Sequence, residues 1–112
     1  MYISGCAKAT FAGEPDIADV PAHQFSENWA GAKVHGTNLT LVTGTVIVPE
    51  LAGQDGKAVA IWVGVGGWKE DGLFQAGITL EESGMVRAWY ERQPGEARYL
   101  DNISIAPAHE IK

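Results

Sequence analysis

The sequence predicts an all-β protein with antiparallel strands. Segments of strand length that are rich in Val, Ile and Thr recur along the chain. Turns that contain Gly or Pro separate them at a spacing of ~8–15 residues. Nowhere do apolar residues hold positions i, i+3, i+4 and i+7 for long enough to make a helix. Short strands joined by such turns are typical of antiparallel sandwiches and barrels.

Two segments in the middle of the chain predict the first strands. Residues 39–48 are rich in β-branched side chains, and Pro49 ends that strand because it has no N–H for the ladder. Glu50–Lys57 contains two glycines and predicts a loop. Ala58–Val65 is an almost continuous apolar run, which predicts a strand that is buried on both faces.

Three more strands are predicted toward the carboxyl end. Leu73–Leu80 and Met85–Glu91 have strand length and composition, and the polar residues Glu81–Gly84 predict the turn between them. Leu100–Ile105 alternates apolar and polar residues, which predicts a final strand that ends before Pro107.

The chain divides into a leader and one domain. Residues 1–26 mix small, acidic and proline residues without a period, which predicts a poorly ordered leader, and 27–112 form the predicted domain. A further alternation begins at 109–112. Five or six strands leave sheet edges uncovered, so we expect either self-association through these edges or a larger fold that covers them.

Composition excludes several classes of function. A chain of 112 residues suits one domain, and its formal charge of −6 with scattered Lys and Arg argues against a nucleic-acid partner. No apolar run is long enough to cross a membrane. Residues 1–13 lack the basic and apolar regions of a signal peptide, and the localisation stays open.

No metal or cofactor site is predicted. Cys6 is the single cysteine, and His23, His35 and His109 lie in unrelated segments without ligand spacing. The glycines of 64–67 resemble a phosphate-binding loop, but no helix follows them. They are better explained as strand-end glycines that permit close approach.

Gln75 is the first candidate for chemistry. It lies in a strand with apolar and glycine neighbours, where an amide costs roughly 1–3 kcal/mol to bury unless it finds partners. An uncharged donor in such a place can stabilise negative charge that develops on a substrate oxygen.

Aromatic residues form the second candidate set. Trp29, Trp62, Trp89 and Tyr90 lie on or beside the predicted strands, either as core packing or as the lining of a groove for an extended peptide or a sugar. Glu91 falls on the same strand face as Trp89 and opposite to Tyr90. It is either a desolvated catalytic acid or a structural carboxylate bonded to its neighbours.

Five sequence blocks together resemble the glutamic peptidases, or eqolisins. They occur in the family's order and cover about two-thirds of the chain, which corresponds to the amino-terminal half of the family's domain. The blocks are 28–32 (NWAGA), 42–49 (VTGTVIVP), 62–67 (WVGVGG), 73–77 (LFQAG) and 88–91 (AWYE).

The resemblance implies a β-sandwich of two curved antiparallel sheets, of the concanavalin or jelly-roll type, of which this chain holds part. It implies a peptide groove in which Gln75 is the catalytic glutamine, orienting a water and stabilising the oxyanion. Trp29, Trp62, Trp89 and Glu91 would be substrate-binding. The family acts on peptide or protein substrates without a cofactor and is usually secreted.

The resemblance also implies an incomplete site. The family's catalytic Glu, a general base and then a general acid, lies beyond the segment that these 112 residues match. Gly66 and Arg87 stand where fungal members have Asp. The main hypothesis is therefore an acid endopeptidase chain with little activity alone. The alternative is a non-catalytic module that binds extended peptide or glycan in a tryptophan-lined groove.

Overall fold

The protein is all-β and antiparallel in the part that the structure, a computed structural model, describes. That part comprises residues 7–15, 30–31, 36–50, 58–66 and 72–112. Its strands are β1 (Ala7–Pro15), β2 (Gly36–Ile47), β3 (Val59–Gly66), β4 (Leu73–Leu80), β5 (Val86–Arg92), β6 (Arg98–Tyr99) and β7 (Glu110–Ile111). The described residues include no helix, and so none long and apolar enough to span a membrane.

The strands form two sheets. One has the order β1-β2-β7 and the other has the order β3-β4-β5-β6, with every pair antiparallel. The second sheet is a meander, since each of its strands follows its neighbour in the chain. In the described part of the chain, neither sheet closes on itself as a barrel would, and the two pack on each other as a partial β-sandwich.

Strand β1 differs from the sequence-based expectation. A poorly ordered leader was predicted over 1–26, but Ala7–Pro15 pairs with β2 from Ala7 opposite Val46 to Pro15 opposite Gly36. Its small apolar residues are mostly alanines, which favour strands weakly. Pairing with a partner distant in sequence forms this strand, and such pairing is not visible in local composition. The boundary between leader and domain stays a prediction.

The last predicted strand is wrong in position. Residues 100–105 do not form a strand, and only Ile105 makes an isolated bridge, to Val86. Asp101 and Asn102 form a turn instead, as these residue types favour. The strand that pairs with β5 is the shorter β6, where Tyr99 lies opposite Trp89.

The core lies between the two sheets. Val48 follows β2 and packs with Ile78, Leu80 and Val86 of the meander, all of them buried. Partly buried apolar side chains surround this cluster: Val46, Ile61, Ala88, Ile105 and Ile111. Full burial of such side chains contributes roughly 1.5–3 kcal/mol each, so this layer holds the sheets together.

The carboxyl-terminal segment closes one end of the core. The Val48 N–H donates to the carbonyl of His109 at 2.9 Å, and the Ala108 N–H donates to the carbonyl of Val48 at 2.8 Å. Strand β7 then continues this pairing, with Ile111 opposite Val46. These contacts bring Ile111 into the core layer.

Candidate active site

The candidate site lies on the face of the meander opposite to the core. Successive side chains of a strand point to opposite faces, and directly opposed residues of neighbouring strands share a face. Because Ile78 and Leu80 face the core, Gln75 and Gly77 face away from it. The residues that the register places on this surface, called here the site face, include Trp62, Gly64, Gln75, Gly77, Arg87, Trp89, Glu91 and Tyr99.

Gln75 and Glu91 form the polar centre of the site face. They lie directly opposite each other on β4 and β5, and Gln75 Nε2 donates a hydrogen bond of 2.8 Å to Glu91 Oε2. Both side chains are half-buried. Of the two interpretations of Glu91 that the sequence left open, this contact supports a carboxylate bonded to a neighbouring side chain.

The Gln75 amide keeps unused hydrogen-bonding capacity. An amide has two N–H donors and a carbonyl acceptor, and the bond to Glu91 uses one donor. Within the described part of the chain, no other hydrogen bond engages the second N–H or Oε1. Gln75 can therefore still donate to one group and accept from another.

Two glycines make room for this arrangement. Gly64 lies opposite Gln75 on β3, and a Cβ atom there would lie 3.1 Å from the Cβ of Gln75. Gly77 lies between Trp62 and Trp89 on its two neighbouring strands, and a Cβ atom there would lie 2.6 Å from the Cβ of Trp62. Gly64 thus permits close approach, as predicted for the glycines of 64–67, of which Gly67 lies outside the described residues, and Gly77 does the same in the middle of β4.

The two tryptophans of the site face differ in exposure. Trp62 is 39% exposed and presents an aromatic surface to solvent, whereas Trp89 is only 9% exposed. Trp89 is not part of the core cluster between the sheets, and its buried Nε1–H has no hydrogen-bond partner among the described residues. Trp62 is therefore the better placed of the two to contact a ligand directly.

Arg87 occupies the far end of the same face. Its guanidinium lies 3.8 Å from the centre of the Tyr99 ring, 3.3 Å from Asp101 Oδ1 and 3.6 Å from Glu81 Oε1. The guanidinium is thus engaged by two carboxylates and a ring. These partners largely compensate its charge. Arg87 lies four residues before Glu91 on β5.

The structure brings together three of the predicted groove residues and Gln75, while Trp29 lies outside the described residues. The contact between Gln75 and Glu91 was not predicted, because the predicted turn Glu81–Gly84 would place Tyr90, and not Glu91, opposite Gln75. Counting outward from Ser83, in the middle of the turn between β4 and β5, pairs 75 with 91. Among the described residues, no three His, Cys, Asp or Glu side chains cluster as metal ligands would.

The all-β fold of the described residues, a partial β-sandwich, agrees with the fold that the five sequence blocks imply. Residues 27–112 match the Peptidase A4 family. The chain belongs to this family, which is one of hydrolases that cleave peptide bonds.

Two fungal peptidases are similar in sequence. Scytalidopepsin B of Scytalidium lignicola is 30% identical over 86 residues, which cover 76% of this chain and 33% of that protein. Aspergillopepsin-2 of Aspergillus niger is 31% identical over 113 aligned residues, which cover 80% of this chain and 40% of that protein. The chain thus spans between a third and two-fifths of the length of these relatives. No solved structure matches it significantly.

Proposed function

We propose that this chain carries the amide half of a glutamic-type endopeptidase site. The observation that supports the proposal is the state of Gln75, whose second N–H and Oε1 are free of partners in the described part of the chain. They lie on a face that also bears an exposed Trp62. Membership of a peptidase family makes a peptide the expected ligand.

The proposed chemistry divides between two groups. Gln75 Oε1 accepts a hydrogen bond from the attacking water, and its free N–H donates to the oxygen that becomes negative in the tetrahedral intermediate. A donor that is already aligned for that oxygen lowers the barrier because it need not reorganise during the reaction. A carboxylate removes the proton of the water and later protonates the leaving amine.

That carboxylate is the missing half. By the family resemblance, it matches no residue of these 112, and Glu91 holds a different family position. We therefore expect little or no turnover from this chain alone. Trp62, Trp89 and Trp29 would line the groove for an extended substrate, with Trp62 making the most direct contact.

An assay of the isolated chain tests the proposal in two parts. Cleavage of casein and of a fluorogenic peptide is measured between about pH 2 and 6, and peptide binding is followed by tryptophan fluorescence. The expected result is binding that is weakened by Gln75→Ala and by Trp62→Ala, with negligible product by mass spectrometry. Asn102→Ala, which removes an exposed amide outside the site face, is the matched control.

Three outcomes would change this view. Strong turnover that Gln75→Ala abolishes would show that the chain supplies its own base, against the proposed missing carboxylate. An absence of peptide binding would contradict the proposed groove. Binding of oligosaccharides in place of peptides would favour a non-catalytic module, for which the exposed Trp62 is the supporting observation.

A further inference from the structure

The bond between Gln75 and Glu91 fixes the orientation of the amide. A carboxylate only accepts hydrogen bonds, so the Gln75 side chain must turn Nε2, and not Oε1, toward it. The opposite orientation would place two electronegative oxygens 2.8 Å apart. Glu91 therefore determines where Oε1 and the second N–H of Gln75 point.

No other described group performs this task. On the opposite side of Gln75 lies Gly64, which has no side chain to bond the amide. Within the described part of the chain, the amide makes no other hydrogen bond that would distinguish its nitrogen from its oxygen.

We propose that Glu91 is a positioning residue, which holds the Gln75 amide in the one orientation that offers a donor to an oxyanion. Its importance for catalysis rests on the function proposed above for Gln75. The orientation itself does not, and it can be measured separately.

Charge and position have opposite effects at this site, which makes the inference testable. The negative charge of Glu91 repels an oxyanion that approaches Gln75, because like charges at short range interact unfavourably. Its acceptor oxygen, however, aligns the donor. Glu91→Gln keeps an acceptor, removes the charge and adds an N–H donor that could also pair with Gln75 Oε1, whereas Glu91→Ala removes both the acceptor and the charge.

The first experiment follows the Gln75 side-chain NH₂ group by NMR in the full 112-residue chain labelled with ¹⁵N, with the assignment made from Gln75→Ala. In the wild type we expect one of the two protons to be shifted downfield by its hydrogen bond to Glu91. Glu91→Ala should remove that shift, Glu91→Gln should keep part of it, and Glu82→Gln should leave it unchanged because Glu82 lies in the exposed β4–β5 turn.

The second experiment measures binding of a phosphinate peptide, a tetrahedral anion, by tryptophan fluorescence, to which the exposed Trp62 contributes. Positioning predicts that Glu91→Ala binds about ten- to a hundredfold more weakly than the wild type, while Glu91→Gln, which keeps an acceptor but tolerates both orientations of the Gln75 amide, binds more tightly than Glu91→Ala. A bond that only stabilised the sheet would not produce this order in folded variants, whose fold is checked by their backbone amide spectra.

The outcomes separate the two proposals. An unchanged Gln75 NH₂ signal in folded Glu91→Ala overturns the positioning role, as does binding by Glu91→Ala that equals or exceeds that of the wild type. A wild-type chain that shows the NMR signature but does not bind the phosphinate overturns the function proposed for Gln75 and leaves the orientation of its amide established.

Discussion

Trp62 on β3 and Gly77 on β4 lie directly opposite each other, and there is no space for a side chain at position 77. A Cβ atom at Gly77 would lie 2.6 Å from the Cβ of Trp62 and would overlap the carbonyl oxygen of Ile61. The overlap with backbone cannot be relieved by a side-chain rotation. The spacing of β3 and β4, and with it the exposed position of Trp62, thus depends on a residue without a side chain.

Gly77→Ala is therefore expected to destabilise the protein strongly. Overpacking of a well-packed site costs typically 1–3 kcal/mol, and a contact with backbone places this variant at the upper end of that range. Chemical denaturation monitored by circular dichroism measures the change. An effect below about 0.5 kcal/mol, which is typical of surface substitutions, would contradict the close approach of the two strands.

Gly64→Ala is expected to disturb the site with a smaller effect on the fold. Its Cβ would lie 3.1 Å from the Gln75 Cβ and 3.3 Å from both Leu73 Cδ1 and the Phe74 carbonyl oxygen, so these neighbours must move by a few tenths of an ångström. We expect the Gln75 NH₂ signal to shift because its distance to Glu91 changes. The free energy of unfolding should fall less than in Gly77→Ala. An unshifted Gln75 signal would show that the site absorbs the methyl group elsewhere.

Substitutions at two positions with left-handed backbone conformation should change the free energy of unfolding in opposite directions. Ala108 has a φ of 67°, and Gly84 has a φ of 82° with open space around it. An L-residue pays roughly 1–2 kcal/mol in this region, and glycine does not. Ala108→Gly should stabilise the fold and Gly84→Ala should destabilise it, each by about 1 kcal/mol. Thermal unfolding measures both, and shifts of the same sign would contradict the two conformations.

The parts of the fold that could be predicted are those with local signals. Strand β4 has the predicted bounds Leu73–Leu80, because turn residues flank an apolar run. Glu91 shares a face with Trp89, as predicted, because the alternation of side chains along one strand is enough to place both. Strand β1 escaped prediction because its alanines are weak strand formers and its pairing is distant in sequence. The strand predicted from the alternation at 100–105 is wrong because Asp101 and Asn102 favour a turn.

In the candidate site, too, the residues could be predicted from local signals, whereas the contact between strands could not. Gln75, Trp62 and Trp89 could be singled out from residue type and family resemblance. The bond from Gln75 to Glu91 depends on the register between β4 and β5, and a shift by one residue would move every side chain of a strand to the other face. Composition does not determine that register. The pairing of β4 with β5 in the structure does.

The indole N–H of Trp89 provides the last prediction. It is buried without a partner in the described part of the chain, and an unpaired buried donor costs about 1–3 kcal/mol. Trp89→Phe removes this donor but also loses some of the packing contacts of the larger indole ring. The two effects oppose each other, so the net change in the free energy of unfolding should stay within about 1 kcal/mol.

The same N–H has a spectroscopic signature. The Nε1–H signal of Trp89 should exchange slowly with solvent because it is buried, yet it should lie upfield of hydrogen-bonded indole signals. Trp62, which is 39% exposed, provides the internal reference with fast exchange. A loss of more than about 2 kcal/mol in Trp89→Phe, together with a downfield Nε1–H, would mean that this indole has a hydrogen-bond partner. Trp89 would then belong to the polar network of the site face, since it lies two residues from Glu91 on the same strand face.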